Sequence, residues 1–539
     1  MTNQPSLSSR PSRASLSCAS LSRYSLLVIL PLASPAFASS CDQLARLTLP
    51  HTTVITAQSI TTGTFTPDGG KPILDLPAFC RVAASIHPVP DSDIRVEMWL
   101  PQLGNQSAWN GRMEATGNGG FAGHIEYNSM AAGVRLGYAV VNTDMGMATP
   151  PGKDAAAFID RPERWTDWGS RATHEMTLFA KQLVKAYYAT GPKKSYFVGC
   201  STGGEQALME AQRFPDDYDG IVGGAPAHNR TGVHTSVLWN FAAIQKTPVS
   251  YLPPEKISLL SAAVVRSCDV LDGVKDGLIA DPSRCTFDPA SLQCKAGDTA
   301  ACLTAPQVAT VKSIYAGPVN PRTHQQIYPG IPLGSEPGWA GLGPAPVAGA
   351  KVPYAPIFQW VFGPNWDWRT FDYDHDVDTL NQRLAATLNA TDPNLDTFRQ
   401  RGHKLLLYHG WSDWLVAPQE TIDYYNAVQA RAAGSQSAAD KNSIDNTVKL
   451  FMIPGMAHCG GGQSPGNFDP LGAMVKWVES GAAPEKLIAI KPPSESAPGT
   501  APQKHLLCPY PQVAQFQGSG DSNDVSTYTC KKPSPPISH

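Results

Sequence analysis

The chain has 539 residues and a formal net charge of -3, and 16% of its residues are charged. That balance excludes the basic footprint of a nucleic-acid binder and a polybasic patch for anionic membranes. The length can bury a large core over two or more domains, and 46 glycines with 48 prolines predict a loop-rich extracellular enzyme, neither largely helical nor disordered.

Residues 1–38 read as a secretory signal peptide. Arg10, Arg13 and Arg23 precede an apolar run over 24–32 and the small-residue sequence Ala36-Phe37-Ala38, the order of a basic region, a short apolar region and a cleavage site. The run is too short to span a bilayer, and no later stretch of about 18 apolar residues follows it. The mature protein is therefore expected to be secreted or periplasmic, with no membrane partner.

Residues 39–226 are read as the first part of an α/β core. A strand-like stretch near 112–115 leads into Thr116-Gly117-Asn118-Gly119-Gly120-Phe121, where glycine lets the backbone approach a substrate closely. Gly119 and Gly120 are both candidates for a backbone donor there, and the residues do not choose between them. Further on, KSYFV (194–198) is a short apolar strand, Gly199-Cys200-Ser201-Thr202-Gly203 a tight turn, and EQALMEAQR (205–213) a helix. Strand, Gly-x-Ser-x-Gly and helix in that order make a nucleophile elbow, in which the N–H of the next residue, Thr202, faces the developing oxyanion.

Residues 227–402 change character: strand patterns give way to proline, glycine and aromatic residues. This stretch is read as a lid domain inserted between core strands. In it, Asp269, Asp272 and Asp276 stand within eight residues, interleaved with Gly273 and Gly277. Such a loop is either a hard-cation site or a solvated acidic turn, and its spacing is not that of an EF-hand. Residues 403–539 return to the core pattern. KLLLY (404–408) runs into Asp413, and VKLFMI (448–453) runs into His458. Ser201, Asp413 and His458 thus each follow a strand end, in the chain order of an α/β-hydrolase triad.

Without Cys18, which leaves with the signal peptide, ten cysteines remain. An even count in an exported chain reads as a disulfide framework. Local spacing groups Cys41 with Cys80, Cys268 with Cys285, Cys294 with Cys302 and Cys508 with Cys530, leaving Cys200 and Cys459, although spacing alone does not fix connectivity. A bond between these last two would join the neighbours of Ser201 and His458.

Cys200-Ser201, Asp413 and His458-Cys459 resemble the CS-D-HC signature of the tannase and feruloyl esterase family. The resemblance continues through GCSTGGEQALMEAQRFPDDYDGIVGGAPA (199–227), CDVLDGVKDGLI (268–279), LLYHGWSD (406–413), FMIPGMAHCGGG (451–462) and LCPYPQ (507–512), and covers essentially the whole mature chain. It implies an α/β-hydrolase core with an inserted lid and a Cys200–Cys459 disulfide. It also implies a structural calcium ion in the lid, held by the side chains of Asp269, Asp272 and Asp276 and the carbonyls of Val274 and Leu278. The activity it implies is that of a serine carboxylesterase that forms an acyl-enzyme from small esters of aromatic acids, such as gallate, ferulate and other hydroxycinnamates, including those derived from plant polymers.

One relative in this family cleaves mono(2-hydroxyethyl) terephthalate, using a lid arginine for the free carboxylate. The corresponding region here, YAPIFQWVFGPNWDW (354–368), is aromatic with Arg369 just beyond, and Val416 stands where that relative has an aromatic residue. Terephthalate monoester hydrolysis is therefore the lower-ranked alternative. A serine peptidase and a catalytically silent hydrolase-fold binding protein are the remaining classes. The motifs outside the triad favour an esterase over the first, and the presence of all three triad residues disfavours the second.

Overall fold

In chain order the strands are β1 (Thr52–Ile60), β2 (Phe79–Ile86), β3 (Ile94–Pro101), β4 (Arg112–Thr116), β5 (Ala139–Thr143), β6 (Lys194–Cys200), β7 (Gly220–Gly224), β8 (Lys404–Gly410) and β9 (Val448–Ile453). They form one sheet in the order β1-β2-β3-β5-β4-β6-β7-β8-β9. Antiparallel pairing links β1, β2, β3 and β5, and every pair from β5–β4 to β8–β9 is parallel. This computed structural model describes residues 39–102, 109–149, 153–434, 444–493 and 501–533. The signal peptide expected over 1–38 lies outside the described residues.

The parallel strands are short apolar runs because both of their faces are covered. Side chains alternate between two cores. Phe197, Ile221, Leu405, Leu407 and Leu450 pack on one side, and Tyr196, Val222, Leu406, Phe451 and Ile453 on the other. Helix α1 (Tyr127–Arg135) covers the second side, and α2 (Ala172–Tyr188) and α3 (Thr202–Arg213) cover the first. The exchange of β4 and β5 in the sheet order, with helices on both faces, makes this an α/β-hydrolase fold. Its parallel strands all end at one edge, where such sheets carry their sites.

Between β7 and β8 the chain leaves the sheet and builds α4 (Arg230–Gln245), α5 (Pro254–Cys268), α6 (Ala305–Ala316), α7 (Pro356–Phe362) and α8 (Asp376–Leu388). Leu260, Val264, Val311, Ile314 and Trp339 give this insertion a core of its own. Phe241, Phe358, Trp360, Leu380 and Leu384 instead join the core of the sheet. After β9 come α9 (Pro470–Ser480) and two hairpins, β10 (Leu487–Lys491) with β11 (Gln503–Leu507) and β12 (Val513–Phe516) with β13 (Tyr528–Lys531). Among the described residues no helix is long and apolar enough to cross a membrane.

Five disulfides are present: Cys41–Cys80, Cys200–Cys459, Cys268–Cys285, Cys294–Cys302 and Cys508–Cys530. Cys200–Cys459 spans 259 residues with Cα atoms 5.8 Å apart, and in the chain-entropy description a loop that long contributes on the order of 5 kcal/mol. Replacing both cysteines with alanine is expected to lower the melting temperature by several degrees. It is also expected to lower kcat at temperatures where the variant remains folded, because the bond ends beside Ser201 and His458. Calorimetry and turnover measured on the same sample check both effects, and full turnover in a folded variant would reduce the bond to a staple.

Candidate active site

Ser201 sits between β6 and α3 with φ +63° and ψ -117°, a conformation that a non-glycine residue holds only when its surroundings enforce it. The enforcement is visible. The Ser201 N–H donates to the Gly224 carbonyl at 3.0 Å, and the Ser201 carbonyl accepts from Ala227 at 3.1 Å. Gly199 leaves no room for a side chain, since a Cβ there would lie 2.4 Å from the Gly203 carbonyl oxygen. This close passage of strand and helix lets the turn point its serine outward.

Three strand ends converge on that serine. His458 Nε2 is 2.9 Å from Ser201 Oγ, and His458 Nδ1 is 2.6 Å from Asp413 Oδ2. A carboxylate only accepts hydrogen bonds, so Nδ1 carries the proton and Nε2 is free to accept from the Ser201 hydroxyl. The loops bearing Asp413 and His458 are also joined directly. Ser412 N–H donates to the Met456 carbonyl at 2.9 Å, and Trp411 N–H to the Ile453 carbonyl at 2.8 Å. The Cys200–Cys459 bond adds a covalent tie between the serine turn and the histidine loop.

Asp413 is fully buried, and its carboxylate is saturated. Oδ1 accepts the N–H groups of Leu415 at 2.8 Å and Val416 at 3.0 Å, and Oδ2 accepts His458 and, at 3.1 Å, His409 Nε2. Burial by itself pushes the carboxyl upward, but the facing imidazoles of His458 and His409 more than offset that and hold it well below the usual carboxylate range.

His409, four residues before Asp413, is the partner that sequence reasoning missed. Its Nε2 faces two acceptors, Asp413 Oδ2 and the Val416 carbonyl at 3.1 Å, so Nε2 carries the proton. Nδ1 then accepts from Thr421 Oγ1 at 2.8 Å. A His-Gly-x-x-Asp spacing at a strand end was the available signal.

The loop from Thr116 to Phe121 lies against the nucleophile helix. Asn118 N–H donates to Gln206 Oε1 at 2.9 Å, and the Asn118 carbonyl accepts from Gly203 at 2.8 Å. His124 first, and to a smaller degree the Gly119 backbone, hold the Glu126 carboxyl below its usual range. Gly120 adopts φ +55°, and its carbonyl accepts the Thr202 hydroxyl at 2.6 Å. Among the described residues the N–H groups of Thr202 and Gly120 have no protein partner. The structure thus brings Ser201, Thr202, the Gly119–Gly120 turn, Asp413 and His458 together.

The acidic loop is a separate feature. Asp269 Oδ1 accepts from Asp276 at 3.2 Å and Gly277 at 3.1 Å, Asp272 Oδ1 from Val274 at 2.9 Å, and Asp276 Oδ1 from Leu278 at 3.0 Å. Burial first, and then the charges of Asp276 and Asp269, push Asp272 up to about 6. Burial and Asp269 push Asp276 upward as well. Among the described residues no three such side chains converge closely enough to hold a metal ion as they stand. Of the aromatic stretch 354–368, Tyr354 and Trp360 lie 5.8 and 5.9 Å from the Phe121 ring, whereas Trp366 stacks on Phe358 and Trp368 packs edge-on against Phe241.

A serine, an imidazole and a carboxylate are thus hydrogen-bonded in series at the edge of the sheet where α/β folds carry their sites. The family model for tannase and feruloyl esterase matches residues 80–531, and the chain belongs to that family of carboxylic ester hydrolases. An uncharacterised esterase of Xanthomonas campestris pv. campestris is 36% identical, with 93% of this chain and 92% of the relative covered. A probable feruloyl esterase B-2 of Aspergillus terreus is 34% identical over 84% of this chain and 86% of its own. The crystal structure of feruloyl esterase B from Aspergillus oryzae superposes with a TM-score of 0.81 at 30% identity, covering 91% of this chain and 99% of that one.

His409 acts on the site through Asp413, as a positioning residue. Replacing it by phenylalanine removes one donor from a buried anion, and misplacing a catalytic group by about 1 Å costs roughly 100-fold. We expect His409→Phe to lower kcat by about ten-fold or more with KM within about a factor of two, and to move the acidic limb of the kcat profile. His409→Gln, which keeps a donor, should restore part of the loss. An unaltered pH profile in a folded His409→Phe variant would leave His409 a packing residue only.

Proposed function

We propose that this protein is an exported serine carboxylesterase that cleaves esters of aromatic acids, of the ferulate, hydroxycinnamate or gallate kind, through an acyl-enzyme. The observation that carries the reading is the Ser201–His458–Asp413 relay. The names of the feruloyl esterase relatives support the acyl class, and so do the half-buried rings of Phe121 and Tyr354 near the turn, because aromatic walls suit a planar group. Five disulfides support export into an oxidising compartment.

In the first half-reaction Ser201 Oγ attacks the ester carbonyl while His458 Nε2 takes its proton. Asp413 holds the resulting imidazolium in place and stabilises its charge. The tetrahedral oxyanion is met by the Thr202 N–H and by a backbone N–H of the Gly119–Gly120 turn. The intermediate collapses with transfer of the His458 proton to the departing alcohol, leaving Ser201 acylated. A water deprotonated by His458 then releases the acid by the same steps.

A terephthalate monoester would need a cation for its free carboxylate, and Arg369 is turned onto Asp367 at 3.0 Å and over the ring of Trp368 at 4.9 Å. No observation favours that substrate over a phenolic ester. The decisive experiment compares methyl ferulate, methyl caffeate, methyl gallate and a terephthalate monoester with wild type and Ser201→Ala. Loss of a triad nucleophile costs on the order of a million-fold in kcat, so Ser201→Ala should fall to background on every ester. Near-wild-type turnover in the folded variant would remove Ser201 as nucleophile.

The acidic loop is proposed to hold one structural calcium ion through the Asp269, Asp272 and Asp276 carboxylates and the Val274 and Leu278 carbonyls. Support comes from the loop's folding, in which Asp269 accepts from the backbone of Asp276 and Gly277, so that three carboxylates are gathered on one short loop where a divalent cation would relieve their like charge. Binding requires these carboxylates to close in on one point. Val274 packs against the hairpin core of Leu506, Cys508, Ala514 and Tyr528, so the ion would brace the insertion against the C-terminal hairpins. Chelation should lower the melting temperature through loss of native-state binding, and calcium readdition should restore it. Metal analysis without calcium, together with no melting shift on its addition, would overturn this assignment.

A further inference from the structure

Helix α4 starts directly behind the nucleophile turn. Arg230 Nη2 donates to Thr202 Oγ1 at 3.2 Å, and Arg230 is paired with the buried Glu205. His234 is one turn further along the same face, about 6 Å of helix rise away. It is 3% exposed, and its Nδ1 lies 2.8 Å from the Arg230 carbonyl. A carbonyl only accepts, so Nδ1 carries the proton and Nε2 presents a lone pair. Among the described residues Nε2 has no hydrogen-bond partner, and it is not one of the unpaired side-chain atoms sealed from solvent. The residue is buried while this one atom keeps access to solvent, so Nε2 is an acceptor open to a ligand's hydroxyl.

Its surroundings answer with an aromatic wall. The Phe121 ring lies 5.9 Å from the His234 ring, the Tyr354 ring lies 5.5 Å away and perpendicular, and Phe121 and Tyr354 are 5.8 Å apart. Phe121 follows Gly120, whose carbonyl is bonded to Thr202. Tyr354 holds a left-handed backbone at φ +61°, the kind of local strain that concentrates at binding sites. One oriented acceptor is thus set against two rings, one helical turn from Arg230, whose side chain touches Thr202.

We propose that His234 Nε2 is the specificity-determining acceptor for a phenolic hydroxyl on the ring of the acyl group. The proposal rests on the aromatic-acyl reading above. Burial first, and then the nearby Arg230 charge, lower the imidazole to about 3, so His234 stays a neutral acceptor throughout the working range. A protonated imidazole would offer no lone pair to the substrate.

The test measures kcat/KM for methyl 4-hydroxycinnamate and methyl cinnamate with wild type, His234→Phe and His234→Gln. A site built around a substrate hydroxyl rejects the analogue lacking it strongly, so wild type should prefer the hydroxylated ester by at least about ten-fold. In His234→Phe the ratio should collapse towards one, and in His234→Gln, which retains an acceptor, a preference of several-fold should survive. Should His234→Phe fail to fold, inhibition of wild type by free 4-hydroxycinnamate and by cinnamate decides the matter, with tighter inhibition by the hydroxylated acid expected. Equal cleavage of both cinnamates by wild type, or an undiminished ratio in His234→Phe, would overturn this inference alone. Cleavage of acetate esters with no cleavage of any aromatic ester would overturn the aromatic-acyl reading and this inference with it.

Discussion

Everything at the site depends on keeping one buried anion, Asp413, ionised. A carboxylate with no exposure is expensive unless it is fully hydrogen-bonded, and here four donors meet it, two from its own loop and two from imidazoles. Each donor lies on backbone that the sheet fixes. His409 ends β8, Leu415 and Val416 follow it, and the His458 loop follows β9. The anion holds these segments in register as much as they hold it. A neutral Asp413 would no longer fix the proton on His458 Nδ1, and the lone pair facing Ser201 would be lost with it.

The nucleophile side is governed by steric exclusion. The positive φ of Ser201 survives because the backbone of β6, the loop at Gly117 and the start of α3 pass closer than any side chain allows, with a Cβ on Gly117 falling 2.6 Å from the Gly203 Cα. The same approach carries the Gly119–Gly120 loop to Thr202. Strain at the serine and placement of the glycine loop beside Thr202 are therefore one packing event.

Much of this was legible in the sequence, and the reason is local. Strands buried on both faces read as apolar runs, so β6, β8 and β9 announced themselves together with the loops that carry Ser201, Asp413 and His458. The antiparallel margin of β1 to β3 was not legible: β1 is buried at none of its positions, and although β2 and β3 are largely buried, no motif marks them and their pairing is set by neighbours across the sheet. His409 and His234 stayed hidden for a related cause. Each sits inside a stretch that reads fully as strand end or helix, and its role comes from a partner on another element.

The order of the disulfides along the chain has its own consequence for biogenesis. Four of the five bonds join cysteines that are neighbours in the list of mature cysteines, and Cys200–Cys459 alone skips four others, Cys268, Cys285, Cys294 and Cys302. A chain oxidised as it emerges from a translocation channel would close Cys41–Cys80 correctly. It would then meet Cys200 with Cys268 as the next available thiol, long before Cys459 arrives. Reaching the native set from there requires thiol–disulfide exchange, through a mixed disulfide and over seconds to hours without help. On such a route the bond between the neighbours of Ser201 and His458 would form last and only through exchange or delayed oxidation, and oxidation without exchange would leave those two residues apart.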